Sequence, residues 1–225
     1  MHATVLDQIT RLGGSAVTGR LDPLPEDRTL WSGLTDRRGG SQGGPVVDAL
    51  LGVRLPDPLQ PRLTPTPWSE NGLDAILDPV ADTQPELLDE DEVPLVDPLM
   101  KLVFSGGPHW DQPVWDPWVF APFTPGSATH GALDGLTTED ELRALVGIPT
   151  GEPVEFVMLT RSQAYPTFYV AAAADPHPDD PRVFGTDFTE FFSGALDSEG
   201  TLSEFLAGFA TAAEFREQLI AAGCR

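Results

Sequence analysis

Two runs of strand-forming residues, joined by a short connection, constrain the fold of this chain more than any other feature. The runs PVEFVMLT, residues 153–160, and TFYVAAAAD, residues 167–175, are rich in β-branched and aromatic residues. Because the connection RSQAYP is too short for a crossover, the two strands are expected to pair antiparallel. Alternate side chains of the second run share a face: Phe168, Val170 and Ala172 on one, Tyr169 and Ala171 on the other.

A third strand and a helix are expected after this hairpin. DPHPDDP forms a turn, and VFG follows as a short strand that ends at Gly185. Asp187, three residues before Glu190, is typical of a helix cap. Phenylalanines then recur at the spacing of a buried helical face: Phe188, Phe191 and Phe192. The aromatic residues of RVFGTDFTEFF are therefore expected to pack in the core.

Three capping boxes, each a threonine followed three residues later by a glutamate, mark helix starts. They are Thr138 with Glu141, Thr201 with Glu204, and Thr211 with Glu214. Each box precedes apolar residues at helical spacing: Leu142, Leu145 and Val146 before Gly147; Leu202, Phe205, Leu206 and Phe209; Phe215 and Leu219. Strands followed by helices predict an α+β protein, in which phenylalanines pack helices onto a largely antiparallel sheet.

The first half of the chain is divided by proline and glycine into short helices and long connections. One helix is predicted at TVLDQITRL, where Val5, Ile9 and Leu12 share a face with Leu6 beside them, and where Gly13-Gly14 gives a left-handed stop. Another is predicted at PVVDALLG, from Pro45 to Gly52. ENGLDAIL and PLVDPLMKLVF are further candidates.

The change in amino-acid composition along the chain predicts two parts. Residues 1–112 form a Pro/Gly-rich acidic part with short helices, packed on the rest. Residues 113–225 form the α+β core.

Acidic residues far outnumber basic ones. There are 35 aspartates and glutamates against 13 lysines and arginines, so the formal net charge is -22. Such a chain repels a phosphate backbone, and nucleic-acid binding is not expected. The acidity favours a cationic partner through long-range attraction. It is equally typical of a chain whose charge serves solubility or a salty cytoplasm.

The chain shows no targeting or membrane signal. MHATVLDQITRL lacks the apolar run of a signal peptide, and no window reaches the ~18 consecutive apolar residues of a membrane span. Cys224 is the only cysteine, so no internal disulfide is possible. These features predict a cytoplasmic protein without a membrane partner.

Familiar catalytic motifs are missing from the sequence. It contains no G-x-S-x-G elbow, no G-x-G-x-x-G fingerprint and no phosphate-binding loop, and Lys101 lies in an apolar stripe. No catalytic residue and no cofactor are predicted. Two H-x-D pairs leave one alternative open, a metal-dependent hydrolase: His109 with Asp111 and His177 with Asp179.

Three tryptophans lie close together in HWDQPVWDPWVFAPF: Trp110, Trp115 and Trp118. They could line a ligand groove or a partner surface. We favour the other interpretation, in which they anchor an extended segment onto the sheet, because large aromatic side chains are usually well buried.

Residues 153–219 resemble part of the SUKH superfamily, which includes bacterial toxin-immunity proteins and regulators of fungal cell-wall synthesis. The resemblance lies in the strands above, in DPRVFGTDFTEFF, and in an S/T-x-x-E-F-L pattern: Thr201, Glu204, Phe205 and Leu206. It implies an α+β binding module without catalytic residues. In many bacterial members such a module is an antidote that covers a secreted toxin, often a nuclease.

Charge and resemblance together predict a non-enzymatic immunity protein that neutralises a cationic, nuclease-type toxin. The expected contacts are acidic residues in loops: Asp89, Glu90, Asp91, Glu92, Asp175, Asp179 and Asp180. A scaffold or regulatory protein without a toxin partner is a further alternative, beside the metal-dependent hydrolase.

Overall fold

The centre of the molecule is a five-stranded antiparallel sheet in which neighbours in sequence are neighbours in space. A computed structural model describes residues 1–17, 44–56, 59–63, 73–88, 95–104, 113–120, 138–162, 167–187 and 197–225. The strands of the sheet are β4 (Pro113–Phe120), β5 (Phe156–Ser162), β6 (Thr167–Ala172), β7 (Arg182–Asp187) and β8 (Asp197–Thr201). Helices flank this sheet, so the prediction of an α+β fold is confirmed.

The predicted hairpin forms the middle of the sheet. β5 pairs antiparallel with β6, with Phe156 opposite Ala172 and Met158 opposite Val170. The predicted alternation of β6 is also confirmed: Phe168, Val170 and Ala172 pack in one core cluster, whereas Ala171 and Tyr169 pack in another. The sheet therefore buries both of its faces.

Helices α1 (Ala3–Arg11), α2 (Pro45–Leu51) and α6 (Leu202–Ala207) cover one face. Val5, Ile9 and Leu12 are buried as predicted, and Leu6 is exposed. Gly13 has a φ of 81°, which confirms the left-handed stop after α1. Beside these helices, strands β1 (Ser15–Ala16) and β2 (Val53–Arg54) pair with each other.

Helix α5 (Glu139–Val146) packs on the opposite face, with Leu142 and Val146 buried. Its capping box is confirmed, and it ends at Gly147 with a left-handed φ of 69°. Leu145, however, is 42% exposed, so its place in the predicted apolar stripe is wrong. Only Leu142 and Val146 of this short helix are buried, because residues four positions apart lie on the same face and these two face the sheet.

A third cluster lies apart from the two faces of the sheet. It contains α3 (Asp74–Thr83), α4 (Val96–Phe104) and α7 (Ala212–Ala221), with a 3₁₀ turn at Pro85–Leu87. Phe215 and Leu219 of α7 are buried here, and the Phe215 ring meets Phe104 edge-on at 5.9 Å. The expectation that each phenylalanine-bearing helix packs on the sheet is therefore wrong for α7. Strands β3 (Gln60–Pro61) and β9 (Phe209–Ala210) pair between this cluster and the sheet.

Several strand assignments differ from the prediction. β7 continues past Gly185 to Asp187, because Thr186 and Asp187 still pair with β6. β8 and β4 are edge strands that the sequence pattern does not reveal: one is short and polar, and the other carries Pro113 and Pro117. Edge strands tolerate both features. The helix predicted to carry Phe188, Phe191 and Phe192 lies outside the described residues.

Each part of the predicted division contributes to shared clusters. Val5 and Ile9 pack in the cluster that contains Val157, and Leu99 packs in the cluster that contains Leu219. The boundary at residue 112 stays a prediction. Across the described ranges, no helix combines the length and the apolar character needed to cross a bilayer.

Candidate interaction surface

The loop between β6 and β7 carries three of the acids predicted to contact a partner. Asp175 is one of them, and its side chain is fully buried. Arg182 Nε donates to Asp175 Oδ2 at 3.2 Å, and the backbone N–H of His177 donates to Oδ1 at 2.8 Å. Arg182 also donates to the carbonyl of Val146 at 2.5 Å, which ties the end of α5 to this loop. The prediction of Asp175 as a surface contact is therefore wrong, since its carboxylate is used inside the fold.

Asp180 binds the start of helix α6. Its Oδ1 accepts from the backbone N–H of Ser203 at 2.8 Å, and its Oδ2 accepts from the Ser203 hydroxyl at 2.6 Å. A carboxylate in this place accepts a hydrogen bond from a free N–H of the first helical turn, and its negative charge interacts favourably with the positive end of the helix dipole. Asp180 thus joins the loop to the helix that covers the sheet.

Asp179 is the most accessible acid of this loop, with 74% of its side chain exposed. Its Oδ1 lies 2.8 Å from the amino group of Met1, and the backbone N–H of His2 donates to its carbonyl oxygen at 2.8 Å. The hydrogen bond from that amino group, together with its positive charge, lowers the pKa of Asp179. All three loop acids therefore bind other parts of the chain, and Asp179 alone also faces solvent over most of its surface.

The acidic run predicted as the second contact is Asp89, Glu90, Asp91 and Glu92, and it lies outside the described residues. The described chain stops at Leu88, after the 3₁₀ turn, and resumes at Leu95, before α4. The role of this run as a partner contact stays a prediction.

The groups considered for catalysis are not brought together in the described part of the chain. No group of three or more His, Cys, Asp or Glu side chains there could hold a metal ion. His177 and Asp179 are both exposed, and His109 and Asp111 lie outside the described residues, so the metal hypothesis stays a prediction. Burial raises the pKa of the Cys224 thiol, which disfavours the thiolate that a nucleophile requires.

Trp115 and Trp118 are buried and lie on β4 itself. Trp115 Nε1 donates to the carbonyl of Val53 at 3.2 Å, and the Trp118 ring lies 5.6 Å from that of Phe120. Their segment is thus a strand of the sheet, with one tryptophan in each of the two sheet clusters. These two side chains serve packing, and Trp110 lies outside the described residues.

Most arginines of the described residues bind other groups of the chain, which the sequence did not indicate. Arg11 donates to both carboxylate oxygens of Glu214 at 2.9 and 2.7 Å, and Arg62 donates to Glu214 Oε1 at 3.0 Å. Burial would raise the pKa of Glu214, but hydrogen bonds from the Thr211 backbone and from Arg11, with the charge of Arg11, lower it to about 2. These partners lie far apart in sequence, so no local pattern predicts them.

Other arginines of the described residues also bind the protein itself. Arg143 donates to the carbonyls of Pro149 and Glu152 at 2.9 and 2.6 Å, and to Glu139 at 2.7 Å. Four more bind carbonyls or carboxylates as follows: Arg54 to Leu51 and Val53, Arg161 to Asp116, Arg182 to Asp175, and Arg216 to Asp97. Arg225 is exposed. Lys101, predicted to lie in an apolar stripe, is exposed on α4.

Many carboxylates, in contrast, face solvent. Within the described ranges a set of exposed acids has no ion-pair partner: Asp7, Asp48, Asp78, Asp82, Glu86, Asp140, Glu152 and Glu217. We call this set the exposed acids. The chain has a formal net charge of -22, and these unpaired carboxylates contribute directly to the negative field outside the protein.

A comparison of the chain with models of protein families, with curated proteins and with solved structures gives no match. The resemblance to the SUKH superfamily therefore stays a prediction.

Proposed function

We propose that the protein is a non-enzymatic binding module that recognises a cationic protein through its acidic exterior. Specifically, the proposed function is that of an immunity protein of the SUKH type, which neutralises a nuclease-type toxin in the cytoplasm. The resemblance of residues 153–219 to that superfamily supplies the class of partner, and the charges supply the means of recognition.

One observation carries this proposal: arginine side chains are mostly bound within the chain, whereas many acidic side chains face solvent. Arginine side chains such as Arg11, Arg143 and Arg182 are bound to carbonyls and carboxylates of the same chain. The exposed acids have no such partners among the described residues. If the charge served only a balanced, soluble surface, basic side chains would be expected among the acids. Most described arginines are instead bound within the chain, and the exposed basic side chains, Arg54, Lys101, Arg216 and Arg225, are outnumbered by the exposed acids.

A predominantly acidic surface suits a nuclease as a partner. A nuclease must present positive charge to bind the phosphate backbone of its substrate. An acidic protein is attracted to the same surface over long distances and competes with the substrate for the same cations. Recognition of this kind needs no catalytic group on the acidic partner.

The proposal is tested by co-expressing the chain with the protein encoded beside its gene and purifying the pair. We expect a stable complex and loss of the nuclease activity of the neighbour. A matched pair of variants then locates the effect. The Asp140→Asn variant removes one exposed acid without an ion-pair partner and should slow association, whereas the Asp97→Asn variant removes one carboxylate that is already paired with Arg216 and should change the rate less. The absence of a complex, or equal rates for all three proteins, would contradict the proposal.

A further inference from the structure

The chain passes from one core cluster to another within two residues. Phe209 packs in the cluster under α1, α2 and α6, whereas Ala210 packs with α3, α4 and α7. We call α3, α4 and α7 the helical unit. Among the described residues, its buried cluster shares no member with the two clusters of the sheet. The junction between the helical unit and the sheet therefore lies at residues 207–211.

Three charged side chains meet at this junction. Arg11 ends α1 on the sheet side, Arg62 follows β3, and Glu214 lies in the first turn of α7. Both guanidinium groups bind the one carboxylate, at distances between 2.7 and 3.0 Å. The three side chains are each about two-thirds to three-quarters covered, so solvent screens these bonds less than it screens a pair on the open surface.

The same two arginines hold the connecting backbone. Arg11 Nη2 donates to the carbonyls of Leu206 and Phe209 at 3.0 and 2.9 Å. Arg62 Nε donates to the carbonyls of Ala207 and Phe209 at 2.9 and 3.1 Å. These bonds reach two carbonyls at the end of α6, those of Leu206 and Ala207, and the Phe209 carbonyl in β9.

The other links across the junction are few in the described part of the chain, and most are hydrogen bonds, although Leu63 also packs against the helical unit. β3 and β9 pair over two residues each. Gln60 Nε2 approaches the carbonyl of Val103 on α4 at 3.5 Å, and Leu63 N–H donates to Gln218 of α7 at 2.8 Å. Polar links, rather than a shared apolar core, thus join the helical unit to the sheet.

We propose that Arg11, Arg62 and Glu214 form an ionic latch, and that the helical unit opens as one body when this latch is released while the sheet stays folded. Units with separate buried clusters and few cross-contacts are those that open sub-globally in native proteins. Each member of the latch is charged, and charge-assisted hydrogen bonds are stronger than neutral ones. The inference does not depend on the identity of the partner.

Native-state hydrogen exchange of the full chain tests the latch. Glu214→Gln removes the charge but keeps a residue that can complete the capping box with Thr211. Arg62→Met removes the second cation without changing any residue of α7. The control is Glu217→Gln, which neutralises an exposed acid on the same helix. Each latch variant should accelerate exchange of α3, α4 and α7 together by about tenfold or more, with β5 and β6 unchanged and the control like the parent.

Helices α3 and α4 contribute no atom to the latch, so the change in their hydrogen-exchange rates decides the outcome. Acceleration confined to α7 would show only local fraying and would overturn the proposal. Equal acceleration in the helical unit and in β5 and β6 would also overturn it, because the chain would then open only as a whole. Unchanged exchange in both latch variants would show that these charges do not hold the junction.

Discussion

The loop at residues 175–181 and Asp140 of helix α5 are both acidic, but they use their carboxylates differently. In the loop, Asp175 binds Arg182, and Asp180 binds the first turn of α6. On α5, Asp140 is exposed and has no ion-pair partner in the described chain. The loop runs between packed elements whose N–H groups and guanidinium groups need acceptors, whereas Asp140 lies on an exposed position of the helix. Acids of the first kind stabilise the fold, and acids of the second kind make the external field.

The largest effect expected from this comparison concerns Asp175. Replacing Asp175 by Asn should lower the free energy of unfolding by about 3 kcal/mol or more, because removing one partner leaves the Arg182 charge uncompensated in a mostly covered site. Chemical denaturation measures the change. Asp140→Asn is the matched control on α5, and equal losses in the two variants would remove the distinction between the two kinds of acid.

Glu214 gives the next largest effect, as a dependence on pH. Its pKa is lowered to about 2 in the folded protein from an ordinary value of 4.5. A lowered pKa stabilises the fold above pH 4.5, and this stabilisation is lost as the pH falls through about 2. After allowance for its partial exposure, we expect roughly 2 kcal/mol from this carboxylate.

Denaturation of Glu214→Gln at several pH values isolates this contribution. Between pH 5 and about 2 the variant should lose less stability than the parent, since it has no carboxylate to protonate. Parallel curves for the two proteins would show that the bonds from Thr211 and Arg11 do not stabilise the charged form.

A smaller loss is expected at Asp180. Replacing it by Ala removes the acceptor for the Ser203 N–H, and the loss of such a hydrogen bond costs about 1 kcal/mol. The Asp180→Asn variant should recover much of this loss because the amide oxygen of Asn can accept the same N–H. A thermal melt resolves the series, and no recovery by Asn would indicate that charge rather than hydrogen bonding is important here.

The exposed acids should have the smallest effect on stability. Neutralising Asp140 and Glu152 together should change the free energy of unfolding by no more than about 0.5 kcal/mol, since surface substitutions away from packed features are nearly neutral. A clear destabilisation in the same denaturation assay would assign these two side chains to the fold instead of to the exterior.

Local patterns predicted the local structure well. The hairpin of β5 and β6 and the capping boxes of α5, α6 and α7 depend on residues within a few positions of each other, and all are present. Trp115 and Trp118 are buried, as the favoured interpretation required, although the segment that carries them is a strand of the sheet.

Features that depend on distant contacts escaped prediction. β8 has the sequence DSEGT, which lacks strand-forming side chains, and it is a strand because β7 offers it an edge. The capping box of α7 fixes where that helix starts, but not that Phe215 packs against α4 instead of the sheet.

The charged residues teach the same lesson. A sequence counts Asp175 and Asp140 as equal acids, and only the fold decides that one is buried against Arg182. Arg11 and Glu214 lie at opposite ends of the chain, so their pairing follows from the way α1 and α7 are placed. The exposed acids outside loops, such as Asp78 and Glu217, were not among the predicted contacts because composition gives the amount of charge and not its position.

The central claim is that the exposed acids attract and recognise a cationic partner. The association rate as a function of ionic strength tests this claim most directly. The protein encoded beside this gene serves as the partner, and stopped-flow mixing measures the rate. We expect the rate to fall steeply as salt screens charges beyond ~8 Å at physiological ionic strength, and to fall less steeply for the Asp140→Asn, Glu152→Gln variant. A rate that does not change with salt would contradict the claim.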